Sequence, residues 1–385
     1  MDLAFGSEHE ELRRTVRAFL AAASPESEVR RLMESARGYD QDVWARMGAQ
    51  LGLQGLAIPE EYGGGGGGPV ETGIVMEEMG RALLCAPYLA TCVLATRAIL
   101  ASGDEGAARE LLPGIACGVT VATLAFSEPD RDWNAPARAT VRRSGTRLLL
   151  HGAKDLVLDG GTADLVLVTA EGEAGPGLYA VPGDAEGLTR TPLSTLDPTR
   201  RLARLEFDGT PAHPVGEAGH APRVLASALD HAAVALAAEC VGGAGLLMET
   251  AVEHARTRVQ FGRPIGAFQA VKHACADMYV EVESARAAAH HAMWTAAGNT
   301  AGDSAGNAAA LPAAAALAKS CCADAYMRVA TETIQVLGGI GVTWEHPAHL
   351  YFRRAKVSQI LFGDPDHHRE TMVRLLAAAT APAAP

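Results

Sequence analysis

Apolar residues recur with helical spacing near the start of the chain: Leu12, Val16, Phe19 and Leu20 share one helical face. Ser7, with Glu10 three residues on, fits a capping box at its start. Val43, Met47, Leu51 and Leu53 continue the pattern, and residues 71–79 and 82–100 predict further helix. Residues 63–68 are six consecutive glycines, which no helix or strand interior accommodates cheaply. They predict a mobile loop, after which Pro69 restarts the chain. From residue 119 the pattern changes. Residues 119–126, 147–151, 165–168, 177–181 and 202–207 are short runs with strand character, separated by turn residues at 144–145, 159–161, 173–177 and 182–184. No helical pattern intervenes, so a small antiparallel β domain is expected rather than a βαβ sheet. Long Ala- and Leu-rich helical patterns then cover 223–258, 267–297, 308–337 and 364–378. Residues 297–307, rich in Gly, Asn and Asp, predict the loop between the second and third of these, and 379–385 a frayed tail. Four long helices with short connections suggest a bundle. The expected class is α+β: an N-terminal helical domain (1–118), a middle small antiparallel β domain (119–222) and a C-terminal four-helix bundle (223–385).

The composition suits such a chain. Its 385 residues allow two or three domains, and 48% hydrophobic with 20% charged residues supports a sizeable core. The net charge of -12 would repel nucleic acid rather than release its counterions. No apolar run reaches the roughly 18–20 residues of a membrane span, and the acidic N-terminus has no signal-peptide pattern. The seven cysteines are odd in number, mostly in apolar helical contexts, and include no CxxC pair. The expectation is a cytoplasmic protein with reduced thiols, without nucleic-acid or membrane partners.

Residues 256–272 concentrate arginine, glutamine and phenylalanine around Gly262 and Pro264, a polar loop between two helices suited to a large anionic cofactor. The segment Arg258-Val-Gln-Phe-Gly262, with Pro264, Ile265, Phe268, Gln269 and Lys272, resembles a signature of the acyl-CoA dehydrogenase family. So do 53–64, which look like the family's N-terminal turn, Glu77-Glu-Met-Gly-Arg81, Ser127-Glu128-Pro129 and Gln335-Val-Leu-Gly-Gly-Ile-Gly341. The order of helices, small β domain and bundle is similar to that family over essentially the whole chain.

The resemblance implies FAD bound between subunits. On that template Arg258 meets the pyrophosphate with its planar fork, beside Gln260 and Phe261. Ile265, Phe268 and Gln269 flank the adenosine half, and Gln335 with the Gly338–Gly339 backbone approaches the pyrophosphate. Ser127 keeps one flavin hydrogen bond. It further implies an acyl-CoA or acyl-carrier thioester as substrate, an electron-transfer flavoprotein or oxygen as acceptor, and an oligomer. Read alone, Arg258 and Gln335 are ordinary helix-end polar residues.

Other motifs fall away. Gly339-Ile-Gly341 lacks the third glycine of a dinucleotide fingerprint, and Pro347 breaks a zinc-helix reading of His346 and His349, so no metal is expected. The adjacent pairs His290–His291 and His367–His368 point apart on a helix and read as exposed or capping residues.

The pattern breaks where the family's chemistry lies. Members supply a glutamate base either after an Arg-Asp-Ala-Lys run or on the first bundle helix; the corresponding positions here are Phe362 and Ala232. Neither accepts a proton. The glycine- and serine-rich stretch is replaced by residues 130–134, and the Trp-x-Thr segment by Leu156-Val-Leu158. Displaced-base candidates are Asp230, His231, Asp364, Asp366 and, farther along its helix, Glu239. Grip without base resembles the degenerate chains of heteromeric bacterial members, notably of steroid side-chain breakdown. The resulting expectation is α,β-dehydrogenation of an acyl thioester, with this chain as the base-lacking subunit beside a second family member. The alternatives are a flavin oxidase or oxygenase on the same fold, or a non-enzymatic structural subunit.

Overall fold

A computed structural model describes residues 5–129, 137–300 and 305–380. Helices come first: α1 (Ser7–Ala23), α2 (Glu26–Glu34), α3 (Gln41–Leu51), α4 (Pro69–Arg81), a π-helical stretch Leu89–Ala95 that runs into α5 (Thr96–Ser102), and α6 (Glu105–Ala116). Strands follow: β1 (Ala122–Ala125), β2 (Thr140–Ser144), β3 (Arg147–Leu158), β4 (Leu165–Gly172), β5 (Gly175–Pro182), β6 (Leu188–Pro192) and β7 (Leu202–Val215). Then come α7 (Ala221–Thr257), a hairpin of β8 (Val259–Gln260) and β9 (Arg263–Pro264), α8 (Gln269–Thr300), α9 (Ala305–Leu337), α10 (Ala348–Ile360) and α11 (Pro365–Thr380).

The chain divides into two compact units, one of Met1–Ser27, Pro69–Leu84 and Ala233–Pro385, the other of Glu28–Gly68 and Cys85–Ala232. The first is helical. Its α4 and α7 meet backbone to backbone: a Cβ on Gly80 would lie 2.1 Å from the Glu239 oxygen, and one on Gly242 1.8 Å from that of Glu77. Ion pairs tie the other helices in. Arg13 of α1 pairs with Glu77 at 2.8 Å and Glu78 at 3.2 Å, Arg286 of α8 with Glu77, and Arg354 of α10 with Glu239. These carboxylates are buried, so each matched partner is needed to offset desolvation.

The second unit holds the sheet, in the order β1-β4-β2-β3-β7-β5, with β6 on β7. A further β4–β5 pairing closes the ring. Most pairs are antiparallel, but β1 lies parallel to β4, and β2 meets β4 in parallel at Thr140↔Glu171. The sheet is therefore mixed rather than purely antiparallel. The chain from Ala125 to Leu165 carries β2 and β3, and so supplies the crossover that parallel pairing requires.

Several expectations change. The first helix is capped at Gly6, not Ser7; the Gly6 N–H donates to His9 Nδ1 at 3.2 Å, so a histidine does what Glu10 was expected to do. Residues 82–88 are not a helical continuation: α4 ends at Arg81, and Leu83 sits at φ 49. The four predicted bundle helices correspond to α7, α8, α9 and α11, with α10 additional. The expected 297–307 loop is shorter, since α8 reaches Thr300 and α9 begins at Ala305; residues 301–304 lie outside the described residues. In the expected tail α11 continues to Thr380, and 381–385 also lie outside them. Among the described residues α7 is the one helix long and apolar enough to cross a membrane by length and composition, contrary to expectation; 67% of its apolar window is buried, as in a core helix.

The six-glycine run is a tight turn rather than a loose linker. Its N–H groups fold back onto preceding carbonyls: Gly63 to Glu60 (2.9 Å), Gly64 to Pro59 (3.2 Å), Gly65 to Gly55 (2.8 Å), Gly66 to Ile58 (2.9 Å) and Gly67 to Leu56 (2.8 Å). A Cβ on Gly64 would stand 2.0 Å from the Ile58 oxygen, so side chains are excluded by sterics.

Candidate functional site

The 256–272 segment begins where α7 ends. Gln260 pairs with Arg263 and Val259 with Pro264, leaving Phe261 and Gly262 as a two-residue turn at φ 53 and 75. Positive φ at both central residues is the type I′ arrangement that matches strand twist. Glycine adopts it freely and phenylalanine only under strain. The strain presents Phe261 outward, 90% exposed. The Ile265 N–H donates to the Arg258 carbonyl at 2.8 Å, closing the hairpin base. The Arg263 guanidinium lies 4.2 Å over the Phe268 ring, and Phe261 meets that ring edge-on at 6.1 Å. The side chains of Arg258, Gln260 and Gln269 are exposed, and those of Ile265 and Phe268 are half-buried.

Gln335 lies exposed in the last turn of α9. Gly338 ends that helix at φ 66, and a Cβ on Gly338 or Gly339 would meet nothing within 4 Å. Both backbones are open to a large ligand or a second chain.

In the second unit, Ser127 follows β1. Its Oγ is buried and has no partner among the described residues. Next to it, Glu128 accepts from the Arg138 N–H at 2.8 Å and from Lys154, whose ammonium is fully buried and also reaches the Phe126 carbonyl at 3.4 Å. Burial depresses the Lys154 pKa, while the Glu128 bond opposes it. This pair ties the end of β1 to β3, where a bulge between Lys154 and Val157 holds Leu156 at φ 53. A β-branch-free leucine in the left-handed region is still strained. Leu158 is buried. Residues 130–134 lie outside the described residues.

Phe362 is buried at φ 62, and Gly363 follows at φ 99. His368 donates from Nε2 to the Phe362 carbonyl at 3.0 Å, and Lys319 donates to that of Gly363 at 3.1 Å. Burial lowers His368 to about 4. Ala232 is fully buried on α7. Among the displaced-base candidates, Asp364 accepts the His367 N–H at 2.8 Å as a helix cap, and Asp366 pairs with Arg369 at 2.8 Å, both exposed. Glu239 is committed to Arg354. Burial raises Asp230 to about 7 against the pull of Arg97, and lowers His231 to about 3 with Arg97 adding to the effect. His290 and His368 are not the exposed residues expected: His290 lies 3.9 Å from Glu77, and His368 is buried. Each faces the interior because its helix neighbour takes the outer side.

Leu156 in the second unit, and Phe261 and Phe362 in the first, are thus non-glycine residues at positive φ; among the described residues only Leu83 and Asp159 share that feature. The sequence reading missed Lys154, Lys319 and Arg97. A lysine within the Ala-rich run of α9 is the one signal that could have drawn attention to Lys319.

The chain matches the family models "Acyl-CoA dehydrogenase, N-terminal domain" over residues 6–119 and "Acyl-CoA dehydrogenase, C-terminal domain" over residues 222–377. It is 37% identical over 377 residues to acyl-CoA dehydrogenase IpdE2 of Mycobacterium tuberculosis, covering 96% of each. The chain belongs to the acyl-CoA dehydrogenase family. Among solved structures, the Tcur3481–Tcur3483 steroid acyl-CoA dehydrogenase (G363A variant) superposes with a TM-score of 0.86 at 32% identity, over 98% of this chain and 99% of that one. The ChsE4–ChsE5 complex of M. tuberculosis gives 0.86 at 27% identity, over the full length of both. The family and its flavoprotein members imply a flavin. The partnerless buried Ser127 hydroxyl fits one, since a bound ring would supply the hydrogen bond it lacks.

Proposed function

We propose that this chain binds FAD and takes part in the α,β-dehydrogenation of an acyl thioester as the base-lacking subunit of a heteromer. The carrying observation is that strained backbone persists at Leu156 and Phe362 while neither side chain can exchange a proton. Strain of about 1–3 kcal/mol per residue is retained only where the surroundings enforce it. Here it frames apolar side chains. Arg258, Gln260, Phe261, Ile265, Phe268, Gln269, Gln335, Gly338 and Gly339 offer an outward-facing surface suited to the nucleotide half of a flavin held mainly by a neighbouring subunit. Ser127 would meet a flavin bound to this chain. A bound FAD would supply the hydride acceptor and a base on the partner would take the proton, while this chain's residues would bind and orient the substrate and cofactor. Two similar structures, Tcur3481–Tcur3483 and ChsE4–ChsE5, are each named for two proteins, which supports the heteromer. Co-expression with a second family chain that carries a glutamate base, followed by native mass measurement and flavin stoichiometry, tests the reading. A mixed oligomer that bleaches with acyl-CoA in the absence of oxygen is expected. A homo-oligomer of this chain alone with stoichiometric flavin and dehydrogenase activity rules it out, and dependence on oxygen with a hydroxylated product points to an oxygenase instead.

A further inference from the structure

In the first unit, α8 and α9 leave a groove of about 510 Å³ between them, floored by Met278 and Met327 and rimmed by Asp277, Glu281, Arg328 and Glu332. Arg328 is already engaged, its Nη1 donating to Glu281 at 2.7 Å. Asp277 and Glu332 are exposed and have no ion pair among the described residues. With His273 of the same rim neutral, three carboxylates face one guanidinium, and two negative charges stay uncompensated. Val280, 62% exposed, adds an apolar lip beside Asp277 on α8. The groove also adjoins the nucleotide-facing surface. Gln269 directly precedes Ala270, which lines the groove on α8, and Gln335 follows Glu332 by three residues on α9. One helical turn or less separates the two on either helix. A neighbour whose flavin lies against Gln269 and Gln335 is therefore within reach of the groove.

A second copy of this chain is a poor occupant. A two-fold contact brings the same patch of both copies together. Asp277 and Glu332 would then meet carboxylates, because the one guanidinium of the rim is spent on Glu281. Like charge opposite like suppresses a wrong partner, and opposite charge steers the right one. Methionines on the floor suit a face that packs against a sequence different from its own. We propose that the second family chain docks in the α8–α9 groove through a face with an excess of lysine or arginine, and that the acidic rim selects that chain over a second copy of this one. The inference rests on the heteromer reading above and adds to it the surface and the charge by which the partner is chosen.

The test is analytical ultracentrifugation at pH 8 and low salt of the full-length chain with the glutamate-bearing family chain, unaltered and as the double variant Asp277→Lys/Glu332→Lys. Both positions are exposed, so the variant alone should melt where the unaltered chain does. The variant should lose affinity for the partner by about ten-fold for each charge reversed. It should instead pair with the unaltered copy of this chain, whose groove now carries the opposite sign. Asp277→Asn/Glu332→Gln should weaken the mixed assembly and gain no such pairing. A mixed assembly that forms with undiminished affinity after charge reversal overturns the inference alone, as does a self-assembly of the unaltered chain that the reversal dissolves. Failure of the unaltered chain to form any mixed assembly overturns the heteromer reading and this inference with it.

Discussion

The ammonium of Lys319, fully buried on α9, donates to the carbonyl oxygen of Gly363 at 3.1 Å and to that of Gln359 at 3.2 Å. It thereby closes the end of α10 and fixes the turn that carries Phe362. Lys319→Met would remove this donor from the buried Gly363 carbonyl, at a cost of about 1–3 kcal/mol, and from the part-buried Gln359 carbonyl at less, offset in part by removing a buried charge. A net loss of about 2 kcal/mol in urea denaturation is expected, with faster amide exchange at residues 361–364. Unchanged stability would mean that the turn holds itself.

The same residue sets a pH dependence. Burial lowers Lys319 from its ordinary value to about 8. The unfolded chain therefore binds more protons between about pH 8 and the ordinary lysine value, and stability rises with pH across that window. Below pH 8 the cost of the buried ammonium is fully present. The stability difference between the native protein and Lys319→Met should therefore widen from pH 7 to pH 9.5. A flat difference would indicate a lysine that never loses its proton.

Asp230 gives the opposite slope. Burial raises its pKa to about 7, so the folded state binds the extra proton between the ordinary aspartate range and pH 7, and stability falls as pH rises through that window. Asp230→Asn should be neutral near pH 4 and stabilising by about 2 kcal/mol at pH 8, less than the full linkage value because Arg97 loses its counter-charge. Thermal melts across that range decide it; a substitution that destabilises at pH 8 shows the Arg97 contact to be the larger effect.

The hairpin separates folding from binding. Phe261 is 90% exposed, so Phe261→Ala should change the chain's own stability by no more than about 0.5 kcal/mol. Arg258→Lys is also neutral for folding, yet it replaces a planar fork with a point charge. Both variants should purify with less flavin per chain, and Arg258→Lys should weaken flavin retention about ten-fold by dilution and ultrafiltration. Full flavin retention in both would remove this hairpin from the cofactor site.

Long helical periods were legible because their apolar faces repeat over many turns, as in α1 and α8. β2 and β6 were not, because Arg142, Arg143 and Arg190 interrupt any apolar run. α10 hid for a related reason: buried Arg354 occupies a core position and is neutralised by Glu239, a partner more than a hundred residues away in sequence. At the candidate site the residue types could be read directly, but the positive φ values of Leu156, Phe261 and Phe362 could not. They arise from bulge, hairpin and turn geometry that tertiary contacts impose. The Arg97 cluster was invisible in sequence because α5 and α7 supply it from distant segments.

The glycine run offers the sharpest test of what sequence alone misjudged. Gly63 has φ 83 and open space around it, so Gly63→Ala meets only the backbone penalty, about 1 kcal/mol. Gly64 has no positive φ, yet its Cβ would lie 2.0 Å from the Ile58 oxygen. Gly64→Ala must therefore displace the backbone, break the bonds that Gly64 and Gly66 make to residues 58 and 59, and cost at least about 3 kcal/mol. A mobile linker would tolerate both substitutions equally, and alanine would even stabilise it slightly by restricting the unfolded chain. Chemical denaturation of the two variants side by side separates the cases: a large gap in favour of Gly63→Ala supports the folded turn, and equal midpoints would restore the linker.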